Sequence, residues 1–321
     1  QPSPLACCTD PTQCPALEGY GLYATEQLRV NDRATVKDDF GRDGRVGSAG
    51  VGQSTAFELG VDARVGRVDA GADVFLRDRS HVTGELWTKG VVLEQNLVET
   101  LMGRREHQPL QMLDLGQYQG TFPPIPSGNT NMAWLEPDQT RSLTTGVYGQ
   151  MRVASRSKLV LGPGTYYFQG IQLEPGATLE LQNGSAPVKL YVQGDVTLRG
   201  AVVQQATASN ELLIVTFSQN GAFIESALNC TLAAPHGKVS LAGGLLHRGA
   251  VFAKNIELHQ GSTLERRPFA HPLTPDPIPN GPSGCAVKMP GNDTGLTGVA
   301  TVVVGWLLSV LVLSRRRRPT N

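Results

Sequence analysis

Apolar residues in this chain recur as short apolar-x-apolar pairs that return at nearly constant intervals. Residues 146–161 (GVYGQMRVASRSKLVL) superpose on 166–181 (YYFQGIQLEPGATLEL) with a shift of 20. Met151 then falls on Ile171, Val153 on Leu173, Leu159 on Leu179 and Leu161 on Leu181. A shift of 17 brings Val239 onto Ile256 and Leu241 onto Leu258. Near the N-terminus the same step of 17 carries Phe57 and Leu59 to Val74 and Leu76, then to Val91 and Leu93, and carries Val65 to Val82. Strict alternation within each pair predicts a strand with one inward face. A strand with two or three inward apolar residues buries too little to form alone. Stacked about 4.8 Å above a copy of itself, it pairs its backbone and extends a shared apolar column. The pattern therefore predicts an all-β parallel β-solenoid with one coil per 17–20 residues. Glycine-rich corners fit this reading, as in GPG at 162–164, EPG at 174–176 and QGD at 193–195. An antiparallel sandwich is the alternative, and the tight hairpin dipeptides it needs are mostly missing.

The repeats set the organisation. A Cys-rich segment (1–16) precedes N-terminal coils (17–104). An irregular stretch (105–145) without a clear period reads as a crossing loop, because its TFPPIP run cannot pair centrally in a sheet. C-terminal coils follow (146–267), then a proline-rich stalk (268–293) suited to extended polyproline II. Residues 294–314 (TGLTGVATVVVGWLLSVLVLS) carry no charge, and as a helix these 21 residues reach about 31 Å, the thickness of a hydrocarbon core. Arg315, Arg316, Arg317 and Arg318 follow at once, so the positive-inside rule places residues 315–321 in the cytoplasm and the body outside. A buried core helix would need a polar face that this stretch lacks. The first residue is Gln1, as a removed signal peptide would leave.

Composition narrows the function. Lys+Arg and Asp+Glu are both 28, so no net field draws the chain to nucleic acid. Of five cysteines, Cys7, Cys8 and Cys14 crowd the N-terminus, where Cys14 could form a local disulfide with Cys7 or Cys8 in an oxidising compartment. Cys230 and Cys285 remain, and no zinc-type spacing occurs.

Two resemblances follow from these residues. Cys285 in PSGC, the apolar stretch 294–314 and the terminal arginines have the layout of bacterial C-terminal sorting signals and resemble the myxobacterial MYXO-CTERM type. That resemblance implies that Cys285 is the processing or anchoring residue and that a sorting protease is a partner. The run PGTYYFQGIQLEPGATLEL, with LYVQGDVTL, ELLIVTF, LAAPHGKVSL and GAVFAKNIELHQGSTL, resembles an exported bacterial surface domain of unknown function. Bactofilin-like and ice-binding-like solenoids are more distantly similar. This second resemblance implies a right-handed parallel β-helix without assigned catalytic residues.

Parallel β-helices also carry polysaccharide lyases and hydrolases, which need converging carboxylates. The densest acidic set, Asp62, Asp69, Asp73 and Asp78, interleaves with Arg64, Arg67, Arg77 and Arg79, as on a solvated face of weak ion pairs. The six histidines (81, 107, 236, 247, 259 and 271) read as corner residues, and HExxH, GxSxG, P-loop and GGxGxDxUx patterns are missing. The sequence thus points to a non-catalytic structural or adhesive solenoid at the cell surface, with no catalytic residue, metal or cofactor. The membrane is one partner, through the C-terminal helix, and a surface polysaccharide or the protein itself is another. A β-helix polysaccharide lyase or hydrolase and a self-polymerising scaffold are the alternatives.

Overall fold

The computed structural model describes residues 17–100, 102–110, 113, 115, 133–182, 186–204, 211–267 and 269. The described chain is a parallel β-solenoid of about eleven turns. Among the described residues helical assignment is confined to the 3-10 turn Leu17–Gly19 and the 3-10 position Leu115. Each full coil has three short faces, the second including 158–161, 178–181, 35–37, 64–65, 81–82 and 99–100 and the third including 188–192, 212–216, 22–24, 46–48, 68–70 and 86–88. The first face holds residues 151–153, 171–173, 196–198, 222–224, 239–241, 256–258, 28–30, 57–59 and 74–76, stacked in parallel register. Inward residues on this face form one unbroken column that includes Val153, Leu173, Leu198, Ile224, Leu241, Leu258, Val30, Leu59 and Leu76, all buried. Burying each such side chain contributes about 1.5–3 kcal/mol, which is why coils too weak to stand alone hold together as a stack.

Several predicted alignments are met residue for residue. Met151 pairs with Ile171, Val153 with Leu173, Leu159 with Leu179 and Leu161 with Leu181. Val239 pairs with Ile256, Leu241 with Leu258, Phe57 with Val74 and Leu59 with Leu76. One alignment slips. Val74 pairs with Val92 and Leu76 with Glu94, so that coil takes 18 residues rather than 17. The Asp73 carboxylate accepts the Val91 N–H at 3.0 Å, which spends Val91 in the corner. A slip of one residue exchanges the two faces of a strand. Leu93 therefore points out, 48% exposed, and Glu94 takes the inward register.

Two further differences concern order. Residues 133–143, expected within the irregular crossing stretch, form a coil: Ala133–Leu135 and Thr140–Leu143 pair with 151–153 and 158–161. The coils also do not stack in chain order. Leu22–Val30 lies on Leu246–Leu258, and Thr35–Lys37 lies on Thr263–Arg266. In space the solenoid runs from 133 to 266 and continues from 22 to 105. Its end coils are thus 133–143 and 92–105, and residues 106–132 lie between them in sequence. Two described residues of this stretch, Leu113 and Leu115, pack outside the third face against Tyr20, Tyr23, Leu213, Val215 and Phe252. The Leu113 N–H donates to the Tyr23 hydroxyl at 2.6 Å, and that hydroxyl donates to the Leu113 carbonyl at 2.9 Å.

The corner from the first to the second face recurs three residues after the last inward residue of the first. Gly176, Gly244 and Gly261 take it with positive φ, and so do Asp138, Arg156, Arg33, Asp62, Arg79 and Leu97. Glycine is the unstrained choice there. At two neighbouring pairs the side chains bind across coils instead, Arg156 to Asp138 at 2.7 Å and Arg79 to Asp62 at 2.8 Å.

Candidate functional site

Cys7, Cys8, Cys14, Cys285, the stretch 294–314 and Arg315, Arg316, Arg317 and Arg318 lie outside the described residues. Among the described residues no helix is long and apolar enough to cross a membrane. Cys230 is described and fully buried in the inward register of the third face, where burial pushes its thiol pKa far up. A thiol held neutral in a core is a poor nucleophile and a poor metal ligand.

The acidic set does not converge. Asp62 and Asp78 meet at the corner, where Arg79 binds both, at 2.8 Å and 2.5 Å. The hydrogen bond from Arg79 holds the Asp62 carboxyl below its ordinary range, the wrong direction for a general acid. Asp69 stands on the third face, 3% exposed, and accepts from Arg45 at 2.6 Å, Arg67 at 3.0 Å and the Tyr20 hydroxyl at 3.0 Å. Arg45 also lies over the Tyr20 ring at 4.2 Å and Arg67 over the Trp87 ring at 4.8 Å, so the cluster is packed as well as paired. Asp73 sits at the start of the first-face strand Asp73–Leu76 and is used by the Val91 N–H. The outward positions of the first face repeat the theme: Glu58 lies between Arg29 at 2.8 Å and Arg77 at 2.5 Å, and Glu257 binds Lys238 at 2.5 Å. Opposite charges on successive coils neutralise each other along the stack.

The histidines divide. His81 binds Glu99 at 2.7 Å on the second face. His247 departs from the corner expectation. It occupies the inward register beside Leu264 and Val36 and is fully buried. Its Nδ1 accepts the Leu228 N–H at 3.1 Å and its Nε2 donates to the Ala242 carbonyl at 3.0 Å. Both ring nitrogens are thus used by backbone, and burial pushes its pKa down, so the ring is neutral. Among the described residues no group of three or more His, Cys, Asp or Glu side chains is placed to hold a metal ion.

One open polar surface lies beside a departure from the coil path. Between Lys37 and Val46 the chain leaves the coil path in the turn DDFGRDG (38–44), which folds back on itself. The Asp38 carboxylate accepts the N–H groups of Phe40 at 2.9 Å and Arg42 at 2.8 Å, and an antiparallel bridge joins Lys37 to Asp43. The turn overhangs an open groove of about 810 Å³, within the size range of sites for small ligands, about 300–1,000 Å³. Lys37, Arg42, Arg64 and Arg67 line it, with Asp38, Asp43, Thr83 and Met102. Its floor is backbone. A Cβ on Gly66 would lie 2.3 Å from the Asp43 carbonyl oxygen, and one on Gly84 would lie 2.9 Å from the Arg67 nitrogen. Sequence reading reached Arg64 and Arg67 only as members of a charged run and passed over Lys37, Phe40 and Arg42. The available signal was spacing: Leu28 and Phe57 pair on the first face although 29 positions apart, so about ten residues are extra to that coil.

Fold and surface together define a parallel β-solenoid protein with Arg–carboxylate rungs and one overhung polar groove. No family model matches the chain, and no curated protein does. Among solved structures it is similar to an ice-binding protein from an Antarctic bacterium of the Flavobacteriaceae, with 10% identity, 79% of this chain and 98% of that chain covered, and a TM-score of 0.26. A likeness at that level extends to neither ligand nor activity.

Proposed function

We propose that this protein is a non-catalytic structural or adhesive solenoid of a bacterial cell surface, sorted or anchored through Cys285, the apolar stretch 294–314 and Arg315–Arg318. The observation that carries the non-catalytic reading is the dispersal of the carboxylates. Asp62, Asp69 and Asp78 are each bound by arginine, Asp73 is used by a backbone N–H, and the four stand at three separate positions around the coil. Glycoside hydrolysis requires two carboxyl groups facing one scissile bond, one of them with a raised pKa. A stack of self-neutralising rungs instead makes a stiff rod whose faces can contact a polymer over many coils.

The test has two arms. Purified protein is incubated with pectin-like, alginate-like and peptidoglycan polymers, and products are followed by reducing ends and by absorbance of unsaturated sugars. No turnover is expected, and turnover lost in Asp69→Asn or Asp73→Asn would overturn the reading. In the second arm, cells producing the full chain are fractionated beside cells producing a chain that ends at residue 293. The shortened chain is expected in the medium. Equal retention of both would sink the anchoring claim.

A further inference from the structure

The groove under the 38–44 turn has a composition that selects a class of ligand. Its two carboxylates are consumed internally. Asp43 accepts from Arg64 Nε at 2.7 Å and from the Thr83 hydroxyl at 2.7 Å. Asp38 takes two backbone N–H groups and the Arg42 guanidinium at 2.8 Å. Arg67 is paired with Asp69, so Lys37, Arg42 and Arg64 face these two carboxylates and leave one positive charge in excess in a chain of zero net charge. Lys37 makes no ion pair with any described residue, and the side chains of Arg42 and Arg64 stay 74% and 50% exposed beyond their carboxylate contacts. Phe40, on the overhanging turn, is 76% exposed with Arg42 over its ring at 5.1 Å.

Phe40 is an exposed ring on a turn fixed by five hydrogen bonds, with the solvent-facing Arg42 guanidinium over it. It leaves apolar area in water. It fits a ligand that alternates a flat apolar ring face with a negative charge. We propose that this groove binds a carboxylate-bearing polysaccharide, with a sugar face on Phe40 and its carboxylates at Lys37, Arg42 and Arg64. The proposal rests on the adhesive reading above and names the ligand class. A nucleic-acid strand fits less well. Its closely spaced phosphates would meet Asp38 and Asp43 between the cations, whereas an acidic glycan sets one charge per sugar with a neutral ring between. Because turn and floor are held by backbone contacts, little order is lost on binding.

The experiment is binding of the full chain in detergent to immobilised polygalacturonate. The same polymer with its carboxyls reduced to alcohols, and single-stranded DNA, are the matched arms. Expected are binding to polygalacturonate that weakens with salt, at least about tenfold weaker binding to the reduced polymer and to DNA, and a loss of about tenfold or more in Lys37→Gln/Arg42→Gln. Phe40→Ala should lose several-fold affinity for the polymer with an unchanged salt dependence. Lys189→Gln, on another face, should bind as wild type, and all variants should melt together with it. Failure to bind polygalacturonate, equal binding to the reduced polymer, tighter binding to DNA or unaltered binding by the variants would each overturn the proposal. Assay of the same mixtures for released sugar keeps the two readings apart. Product would sink the non-catalytic reading alone, and absent binding would sink the ligand assignment alone.

Discussion

At the coil formed by residues 92–105 the inward register changes character. Glu94 stands over Leu76 and Arg104 over Leu86, and the two bind each other at 2.8 Å across the end of the apolar columns. Glu106 accepts the N–H of Val92 at 3.0 Å and so covers one donor of the exposed edge. At the opposite end Arg141 takes the inward register beside Leu159 and is exposed. Charges in inward positions are a known protection against strand addition at sheet edges. A second copy continuing the ladder would set its residues 133–135 on 92–94, with Leu135 against Glu94. Stacking would desolvate the Glu94–Arg104 pair at a cost of several kcal/mol. Glu94→Leu/Arg104→Leu reverses the sign, since each new leucine gains about 1.5–3 kcal/mol when covered. The swing of about 5 kcal/mol or more corresponds to at least about a thousandfold in the association constant. Folding stability should hardly change, because the lost pair is exposed and worth about 0–1 kcal/mol. Sedimentation velocity of the full chain in mild detergent should show wild type independent of concentration. The double variant should grow into longer species as concentration rises, with rods visible in negative stain. A double variant that sediments as wild type throughout would refute the capping argument, and wild type that itself forms rods would favour the self-polymerising scaffold.

Three other outcomes follow from single sites. His247 is held neutral with its pKa below the usual histidine value, so on acidification the unfolded chain takes up the proton first. Its contribution is complete above about pH 6.5 and falls as pH drops through that value, with a slope approaching about 1.4 kcal/mol per pH unit. Urea titrations between neutral and mildly acidic pH should show a shallower slope in His247→Gln, and coincident slopes would contradict the assignment. A Cβ on Gly71 would lie 1.9 Å from the Ala49 carbonyl oxygen, a backbone atom, so Gly71→Ala should cost about 1–3 kcal/mol and lower the melting temperature. Leu190 is fully buried between Tyr166 and Ile214, and Leu190→Ala should cost about 2–5 kcal/mol by denaturant unfolding; a value below 1 would deny it a place in the column.

The coil repeat was legible because inward residues and corner spacing are local properties of each turn. Val153 over Leu173 and Val239 over Ile256 could be matched by counting alone. Counting failed at Val91, where a side-chain contact from Asp73 changed the coil length by one and turned Leu93 outward. It also missed the coil at 133–143, whose step of 18 from Leu135 to Val153 and from Leu143 to Leu161 lay beyond a proline-rich run. The groove was hidden for a related reason. Lys37 and Arg42 join Arg64 and Arg67 only when two coils stack, and Phe40 stands on the same turn as Arg42.

What the amino-acid order determined by itself is the unit: a short parallel coil with apolar pairs facing in, corners that tolerate a left-handed residue, and charges facing out. Which coil lies on which was decided in three dimensions. A parallel ladder binds backbone to backbone and columns of leucine, valine and isoleucine fit one another in many orders, so local pattern is nearly indifferent to sequence of stacking. The choice came from non-local terms. Lys254 and Asn255 meet Glu26 where the two runs join, Leu113 and Leu115 cover the outward aromatic face, and Glu94 and Arg104 close an end.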